Sequence, residues 1–380
     1  MKSTKTLVEE VLEKMEHFSG TGKSAVVGLD GYIDKIQHPV QFQKEEGNVY
    51  YKTLLDFGDK IIEASNQSAQ MELFTQQTKF GGNAPIMANA LACLQIPNVC
   101  LGTFGYPKIE DDFKAIHQHS ELISVGGPAR TNALEFNDGK LILSELSVFQ
   151  DLDWEAVKQK INIYSLKDHL EKAELIALVD WCNLPHATAI WKGMLEDIIS
   201  KQAGDRRQFF FDLADPSKKS IDEVMGVIAV IQEYRSYGTV TLGLNENEAN
   251  KIFKLLHNGE GSADLQAKGQ YIFNTIQVDN LVIHPLDGCM TFQEDICYTL
   301  KKKLVHHPKV TTGGGDNFNA GYCLGMLYGF PTEHCMALAM ATSGSYVANG
   351  RSPELKDIVA FLKYWLWEIE QGQKTEEYEH

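Results

Sequence analysis

The sequence is poor in several features that define common classes of protein. Its 35 lysines and arginines are outnumbered by 51 aspartates and glutamates, so the formal net charge is −16 and no basic stripe offers a nucleic-acid surface. No apolar run approaches the roughly 18 residues that a membrane helix needs. Residues 1–18 carry charges throughout, unlike the core of a signal peptide. We therefore expect neither a nucleic-acid partner nor a membrane partner.

Cysteine is scarce as well. The seven cysteines are scattered, their number is odd, and no two of them form a Cys-x-x-Cys pair. This pattern argues against a disulfide framework and against a structural zinc site, and it is typical of reduced thiols in the cytoplasm. We expect a cytoplasmic protein.

What the sequence does contain is a long alternation of short apolar strands and helical stretches. Examples of the strands are AVVGL at 25–29, LIALV at 175–179 and TVTLGL at 239–244. Such alternation predicts a largely parallel sheet covered by helices on both faces, with ligands bound beyond the carboxyl ends of the strands. Apolar residues near the N-terminus recur at helical spacing, which predicts a helix before the first strand.

Two segments interrupt this rhythm. Residues 130–145 read RTNALEF, NDG and KLILSE, two β-rich arms around an Asn-Asp-Gly turn, which is a hairpin signal. Residues 71–80 form another extended stretch with alternating polar positions. Strands outside the α/β alternation predict a small accessory sheet, used either as a lid over the main sheet or as surface decoration.

The strongest chemical motif is a glycine-rich run that ends in an aspartate and opens a helix. It reads TTGGGD at 311–316, and the residues after it keep helical spacing as far as Gly329. The N–H groups of the three glycines, together with the helix dipole, make an anion site. Asp316 at its mouth can take a proton from an attacking hydroxyl while the amides stabilise a transferring phosphoryl group. An aspartate that merely caps a helix after a glycine turn is the alternative.

Two weaker motifs lie elsewhere in the chain. Gly82 and Asn83 enter an alanine-rich helix, where the glycine allows a ligand to approach the backbone and the amide offers a donor and an acceptor. Asn245 and Glu248 follow a strand, and the carboxyl end of a strand is where Mg²⁺ and phosphate ligands belong. An ordinary turn and an ordinary helix start explain these two motifs about as well.

Taken together, the motifs resemble the ribokinase/PfkB family of carbohydrate kinases. TTGGGDNFNAG is similar to the second signature of that family, GGNAPIMANALACL resembles the first, and Asn245 with Glu248 matches its NxxE motif. Asp34 stands where the family places a sugar-binding aspartate. The resemblance implies a three-layer α/β/α domain over residues 25–366, with a mainly parallel sheet and a small β-sheet lid. The lid segments would span about 35–45, 70–80 and 129–146, between a helical extension at 1–24 and an acidic tail at 367–380.

The resemblance also implies roles for individual residues. Asp316 would be the base, and Gly313, Gly314 and Gly315 would form the anion hole. Asn245 and Glu248 would hold Mg²⁺, largely through water, on the nucleotide side. The remaining residues that would bind the nucleotide are His284 and Gly288, and those that would bind the substrate are Asp30, Asp34, Gly82, Asn83 and Arg130.

The function implied is ATP-dependent phosphorylation of a hydroxyl group on a small sugar or polyol. A nucleoside or vitamin-alcohol kinase on the same fold is one alternative, because a fold does not fix its substrate. A non-catalytic sugar or nucleotide sensor is another, although the intact Gly-Gly-Gly-Asp favours catalysis. A homodimer formed through the lid is the expected assembly. Val310 stands where the family usually has an aspartate near a monovalent cation, so we expect activation by potassium to be weak or absent.

Overall fold

The structure is a computed structural model that describes residues 2–20, 22–202, 207–257, 264–301, 305 and 308–378. Fourteen strands lie in that part of the chain: β1 (Ala25–Gly28), β2 (Tyr32–Lys44), β3 (Gly47–Tyr50), β4 (Glu72–Gly81), β5 (Asn98–Gly102), β6 (Ser120–Ser124), β7 (Ala129–Phe136), β8 (Gly139–Glu145), β9 (Leu175–Leu178), β10 (Arg207–Asp212), β11 (Gly238–Asn245), β12 (Asn280–His284), β13 (Gly288–Gln293) and β14 (Ile296–Lys301). The same residues form twelve α-helices: α1 (Thr4–Glu16), α2 (Leu54–Glu63), α3 (Asn83–Cys93), α4 (Trp154–Lys160), α5 (Ile163–Lys172), α6 (Ala187–Asp197), α7 (Ile221–Tyr234), α8 (Glu246–His257), α9 (Leu265–Ile276), α10 (Gly314–Leu327), α11 (Thr332–Asn349) and α12 (Leu355–Tyr378).

Nine strands build the main sheet in the order β14-β13-β12-β11-β10-β9-β1-β5-β6. The seven strands from β12 to β6 in this order are parallel, and β13 and β14 run antiparallel at one edge. Successive side chains of a strand point to opposite faces, so Phe209 and Phe211 of β10 enter one core while Phe210 enters the other. Helices α4–α9 cover the first face, and α1, α3, α10, α11 and α12 cover the second. The predicted three-layer α/β/α architecture is confirmed.

Both ends of the described part of the chain are helical. Ser3 caps α1, whose buried residues belong to the second core and pack near α11 and α12. Helix α12 runs across the predicted boundary at residue 367. No helix in the described ranges combines the length and the apolar character needed to cross a membrane.

Five strands form a second, smaller sheet, the lid sheet, in which β3, β2, β7 and β8 follow one another and β4 pairs with β2. Residues paired across strands share a face. Asp34 is paired with both Lys79 and Thr131, so these three lie on one face. Neighbouring Ile33 is paired with Arg130, which puts Arg130 on the opposite face. The alternation of the strands therefore decides which lid side chains share the face of Asp34.

Candidate active site

Acidic side chains gather at the carboxyl ends of the central strands. Burial raises the pKa of Asp30 to about 7, although the N–H groups of residues 83 and 84 act in the opposite direction. Burial and the nearby Asp212 raise the pKa of Glu248 to about 8. Asp180 and Asp212 are buried among the same carboxylates, and burial raises their pKa values as well. Negative charges in a buried region repel one another strongly, so cations or protons must compensate them.

The glycine loop sits at the start of α10 and is held from two sides. Gly313 has a left-handed backbone (φ 92°) that favours glycine, and a Cβ there would lie 2.7 Å from the Tyr346 hydroxyl. The Tyr346 hydroxyl donates to the Thr312 carbonyl at 2.7 Å, and the Asn317 side-chain amide donates to the Gly313 carbonyl at 2.8 Å. The first-turn N–H groups of an α-helix have no partner within the helix, so the fixed loop presents them to an anion.

Asp316 lies in this first turn and is partly buried. Burial raises the pKa of its carboxyl well above the usual range, and Asp212 and Asp30 raise it further. A carboxylate with an ordinary pKa is a weak base near neutral pH, whereas a raised pKa brings it closer to the optimum for proton transfer. Its raised pKa therefore gives Asp316 the basicity that the predicted general base needs.

Asp30 and the second glycine of the Gly-Gly pair are tied to the start of α3. The Asp30 carboxylate accepts the N–H groups of Asn83 and Ala84, each at 2.7 Å. Gly82 has a φ of 101°, and a Cβ at that position would clash with the Asp30 carboxylate. In the same way a Cβ at Gly81 would clash with the Asp34 carboxylate. The two glycines thus leave room for two carboxylates, and Asp30 fixes the start of α3.

Asp34 and Arg130 have different surroundings on the lid sheet. Burial raises the pKa of Asp34, while Lys79 and a hydrogen bond from Thr131 act in the opposite direction. The Arg130 side chain is 57% exposed and pairs with Glu110 at 2.9 Å, on the face away from Asp34. Lys79 is a cation that shares the face of Asp34.

On the other side of the glycine loop lies a cavity of about 690 Å³, a size typical of small-molecule and cofactor sites. Of the predicted nucleotide residues, Asn245, His284 and Gly288 lie on its wall and Glu248 does not; Gly314 and Gly315 of the predicted anion hole also line it. The His284 ring stacks on Phe318 with ring centroids 4.6 Å apart. Burial lowers the pKa of His284 to about 4, so its imidazole is neutral at physiological pH. A neutral, flat surface of this kind suits a nucleotide better than a charged one.

Asn245 and Glu248 form a reciprocal cap at the start of α8. The N–H of Asn245 donates to Glu248 Oε2 at 2.8 Å, and the N–H of Glu248 donates to Asn245 Oδ1 at 2.9 Å. The described residues contain no group of three or more His, Cys, Asp or Glu side chains arranged to hold a metal. Oxygen ligands at this strand end fit Mg²⁺, but with so few of them the ion would be held through water and phosphate oxygens.

The buried carboxylates give a prediction for stability. Asp30 and Glu248 have pKa values of about 7 and about 8 in the folded protein, whereas an unfolded carboxyl titrates near about pH 4. Between these limits the folded state binds more protons, so its free energy of unfolding falls as pH rises. We expect the melting temperature of the ligand-free protein to fall from about pH 5.5 to about pH 8.5. Differential scanning fluorimetry measures this.

Glu248→Gln is a suitable comparison for the melting profile, because glutamine can still accept the Asn245 N–H while removing one titrating carboxyl. The fall in melting temperature should be shallower in this variant. A wild-type melting temperature that rises steadily across the same range would contradict the prediction.

Comparisons with known proteins point to one family. The model of the prokaryotic ketohexokinase family matches residues 2–365. A ketohexokinase of Haloferax volcanii is 24% identical over 349 residues, which cover 91% of this chain and 92% of the relative.

Solved structures show the fold. Thermotoga maritima ribokinase is 15% identical with a TM-score of 0.60, and the match covers 90% of this chain and 99% of that one. Arabidopsis thaliana ribokinase, solved with ribose and ATP, is 17% identical with a TM-score of 0.60, covering 90% and 98%. The chain therefore belongs to the prokaryotic ketohexokinase family and is a carbohydrate kinase with the ribokinase/PfkB fold.

Proposed function

We propose that the protein transfers the γ-phosphoryl group of ATP to a hydroxyl of a neutral ketohexose. The observation that carries this proposal is the position of Asp316, in the first turn of α10 between two compartments. Gly314 and Gly315 line the 690 Å³ cavity on one side. On the other side, burial raises the pKa of the Tyr346 hydroxyl and both Asp316 and Asp34 raise it further, so Asp316 and Asp34 of the lid sheet lie within electrostatic reach of the same hydroxyl. The ketohexokinase relative supports the choice of sugar.

The proposed step is a direct displacement. The hydroxyl oxygen of the sugar attacks the γ-phosphorus of ATP, the bond from that phosphorus to the β–γ bridging oxygen breaks, and ADP leaves with the electron pair. The hydroxyl proton passes to the Asp316 carboxylate. The first-turn amides of α10 stabilise the charge on the transferring phosphoryl group.

On the substrate side, hydroxyl groups suit the available side chains. Asp34 projects from the lid sheet and can accept a hydrogen bond from a hydroxyl, a charge-assisted interaction that aligns the sugar. Asn83, at the start of α3, offers both a donor and an acceptor. Asp30 is committed to the N–H groups of α3, so we assign it the role of positioning Asn83.

The decisive experiment is an ADP-release assay of the purified protein with ATP and Mg²⁺ across free sugars, sugar phosphates and nucleosides. We expect turnover with a ketohexose, and mass spectrometry of the product should show one added phosphate. If ADP release is fastest with a nucleoside, the ketohexose proposal is wrong and the protein is a nucleoside kinase. ATP binding without release of ADP on any acceptor would favour a sensor.

Magnesium dependence gives a second prediction. Mg²⁺ neutralises charge on the ATP phosphates when it is bound, and Asn245 with Glu248 would hold it through water. Glu248→Gln can keep the reciprocal cap but removes the negative charge. We expect the Mg²⁺ concentration for half-maximal activity to rise by about tenfold or more, the range seen when outer-shell groups of metal sites are changed.

Glu246→Gln is the control for this titration, since Glu246 lines the same cavity and its side chain is exposed. Activity that persists in excess chelator would refute the requirement for a divalent cation. A Mg²⁺ titration of Glu248→Gln that overlays the wild type would refute the role of Glu248.

We also propose a homodimer formed through the lid sheet and a cytoplasmic location. Exposed apolar side chains on the lid strands, among them Phe42, Phe74 and Ile142, support the first proposal. Seven cysteines with no disulfide among them support the second. Analytical ultracentrifugation of the wild type tests the assembly.

A further inference from the structure

One contact between the lid sheet and the glycine loop is unexplained by the roles assigned so far. Lys140 lies on β8, one residue past the start of that strand, and its Nζ donates to the Thr312 hydroxyl at 2.5 Å. The two residues are 172 positions apart in the chain. Thr312 directly precedes Gly313, so the ammonium group is placed at the mouth of the anion site.

The pairing of the lid strands aims Lys140 at this place. Lys140 is paired with Glu135, and Ser144 with Thr131, so both pairs are on the same face because their positions differ by an even number of residues. That face is the one that carries Asp34. The start of α2 fixes the turn of this hairpin, because the Leu54 N–H donates to Asp138 at 2.9 Å.

The surroundings of Lys140 do not balance its charge. Its side chain is 26% exposed, and its ion pair among the described residues is Glu135, at 4.0 Å. Burial lowers the pKa of the ammonium group, Glu135 raises it, and Lys79 lowers it again. The Thr312 hydroxyl is a neutral partner for the partly desolvated ammonium group. A carboxylate or a phosphate would compensate the positive charge better.

An anionic group is what the proposed reaction brings to this position. The phosphoryl group would lie against the first turn of α10, immediately after Thr312, and negative charge is spread over its three equatorial oxygens during transfer. The surrounding carboxylates repel it, and Asp212 and Asp30 already oppose the charge on Asp316. A cation from the lid would offset that repulsion only when the lid is closed over both substrates.

We propose that Lys140 leaves the Thr312 hydroxyl and donates a hydrogen bond to the transferring phosphoryl group in the closed complex. The lysine keeps its proton throughout and forms no covalent bond. This inference rests on the proposed phosphoryl transfer. In this arrangement Lys140 stabilises the transition state only after the lid has closed over both substrates. ATP bound without sugar would therefore be hydrolysed slowly.

The test compares Lys140→Met and Lys140→Arg with Lys35→Met. Lys35 is an exposed lysine of the same sheet on the face away from Asp34, so it controls for loss of a lid charge. We expect Lys140→Met to lower kcat by about 10² to 10³, with the KM for sugar changed only a few-fold. Lys140→Arg should recover part of the loss, and Lys35→Met should behave as wild type.

A second measurement separates this role from a latch that only holds the lid. Isothermal titration of ADP with aluminium fluoride, in the presence of Mg²⁺ and ketohexose, reports affinity for a mimic of the transferring phosphoryl group. Lys140→Met should lose at least about tenfold in affinity for this mimic, while its affinity for ADP alone stays within about twofold of the wild type. If Lys140 only held the lid closed, Lys140→Met would weaken sugar binding. The ratio of its affinity for the mimic to its affinity for ADP alone would then match that of the wild type.

The two readouts also distinguish failure of this inference from failure of the proposed function. A wild-type protein that releases no ADP with any sugar would refute the sugar-kinase proposal, and the titration would still report on Lys140. Equal affinity of wild type and Lys140→Met for the aluminium fluoride complex, including no measurable affinity in either, overturns the role of Lys140. So does a Lys140→Met variant whose kcat matches the wild type.

Discussion

Replacing Asp316 with asparagine is expected to lower kcat by at least about 10², because the variant has no group to accept the proton of the attacking hydroxyl. Asparagine has nearly the same shape as aspartate and leaves the first turn of α10 in place. Substrate binding should therefore change much less than turnover. Steady-state ADP release with a ketohexose measures both effects, and Asp287→Asn is the control. Asp287 is exposed and stands between two residues of the nucleotide cavity. Asp287→Asn removes one negative charge, as Asp316→Asn does, but leaves the first turn of α10 untouched.

The pH profile adds a second test of Asp316. A base works only when deprotonated, so activity should be lost as pH falls through its pKa, and burial among carboxylates raises that pKa. The acidic limb of kcat/KM should thus lie at higher pH than for an ordinary aspartate, and it should be absent from the residual activity of Asp316→Asn. Near-normal turnover of the variant would remove Asp316 from the mechanism.

The features that could be predicted from the sequence are those encoded within a few residues of one another. Buried strands show as apolar runs, the lid hairpin shows as an Asn-Asp-Gly turn at 137–139, and the glycine loop precedes its own helix. Each is specified by local backbone preferences and periodicity. The short strand β3 was missed because Gly47–Tyr50 has only four residues and no alternation to mark it.

The rest of the site depends on contacts between distant parts of the chain. Asp212 ends β10 and Asp180 follows β9 by two residues, and only the strand order brings them near Asp316. The bond of Lys140 to Thr312 arises from the position of the lid over α10, which no local pattern records. The face of Arg130 could have been inferred from strand alternation, but only with the register of β2 and β7 in hand.

The charge of the substrate is expected to have a large effect on kcat/KM. We expect kcat/KM for free fructose to exceed that for fructose 1-phosphate and fructose 6-phosphate by at least about 100-fold, a difference of about 3 kcal/mol. A phosphate on the substrate would approach Asp34, and juxtaposed like charges cost several kcal/mol unless a cation intervenes. Among the described residues on that face of the lid, Lys79 already offsets Asp34, and Lys140 is directed to the glycine loop. The net charge of −16 adds no general attraction for anions.

Substitutions at Arg130 and Lys79, two cations of the lid sheet, decide this point. Arg130→Ala should leave the preference between free and phosphorylated sugar unchanged, because Arg130 pairs with Glu110 on the opposite face of the lid sheet. Lys79→Met should widen the preference, because it leaves the charge of Asp34 without compensation. The comparison uses kcat/KM for each sugar and its monophosphates in the wild type and both variants. A wild type that prefers a monophosphate, and loses that preference in Arg130→Ala, would mean that the lid turns Arg130 onto the substrate when it closes. The same preference lost only in Lys79→Met would instead make Lys79 the phosphate-binding residue, and either result would refute a neutral substrate.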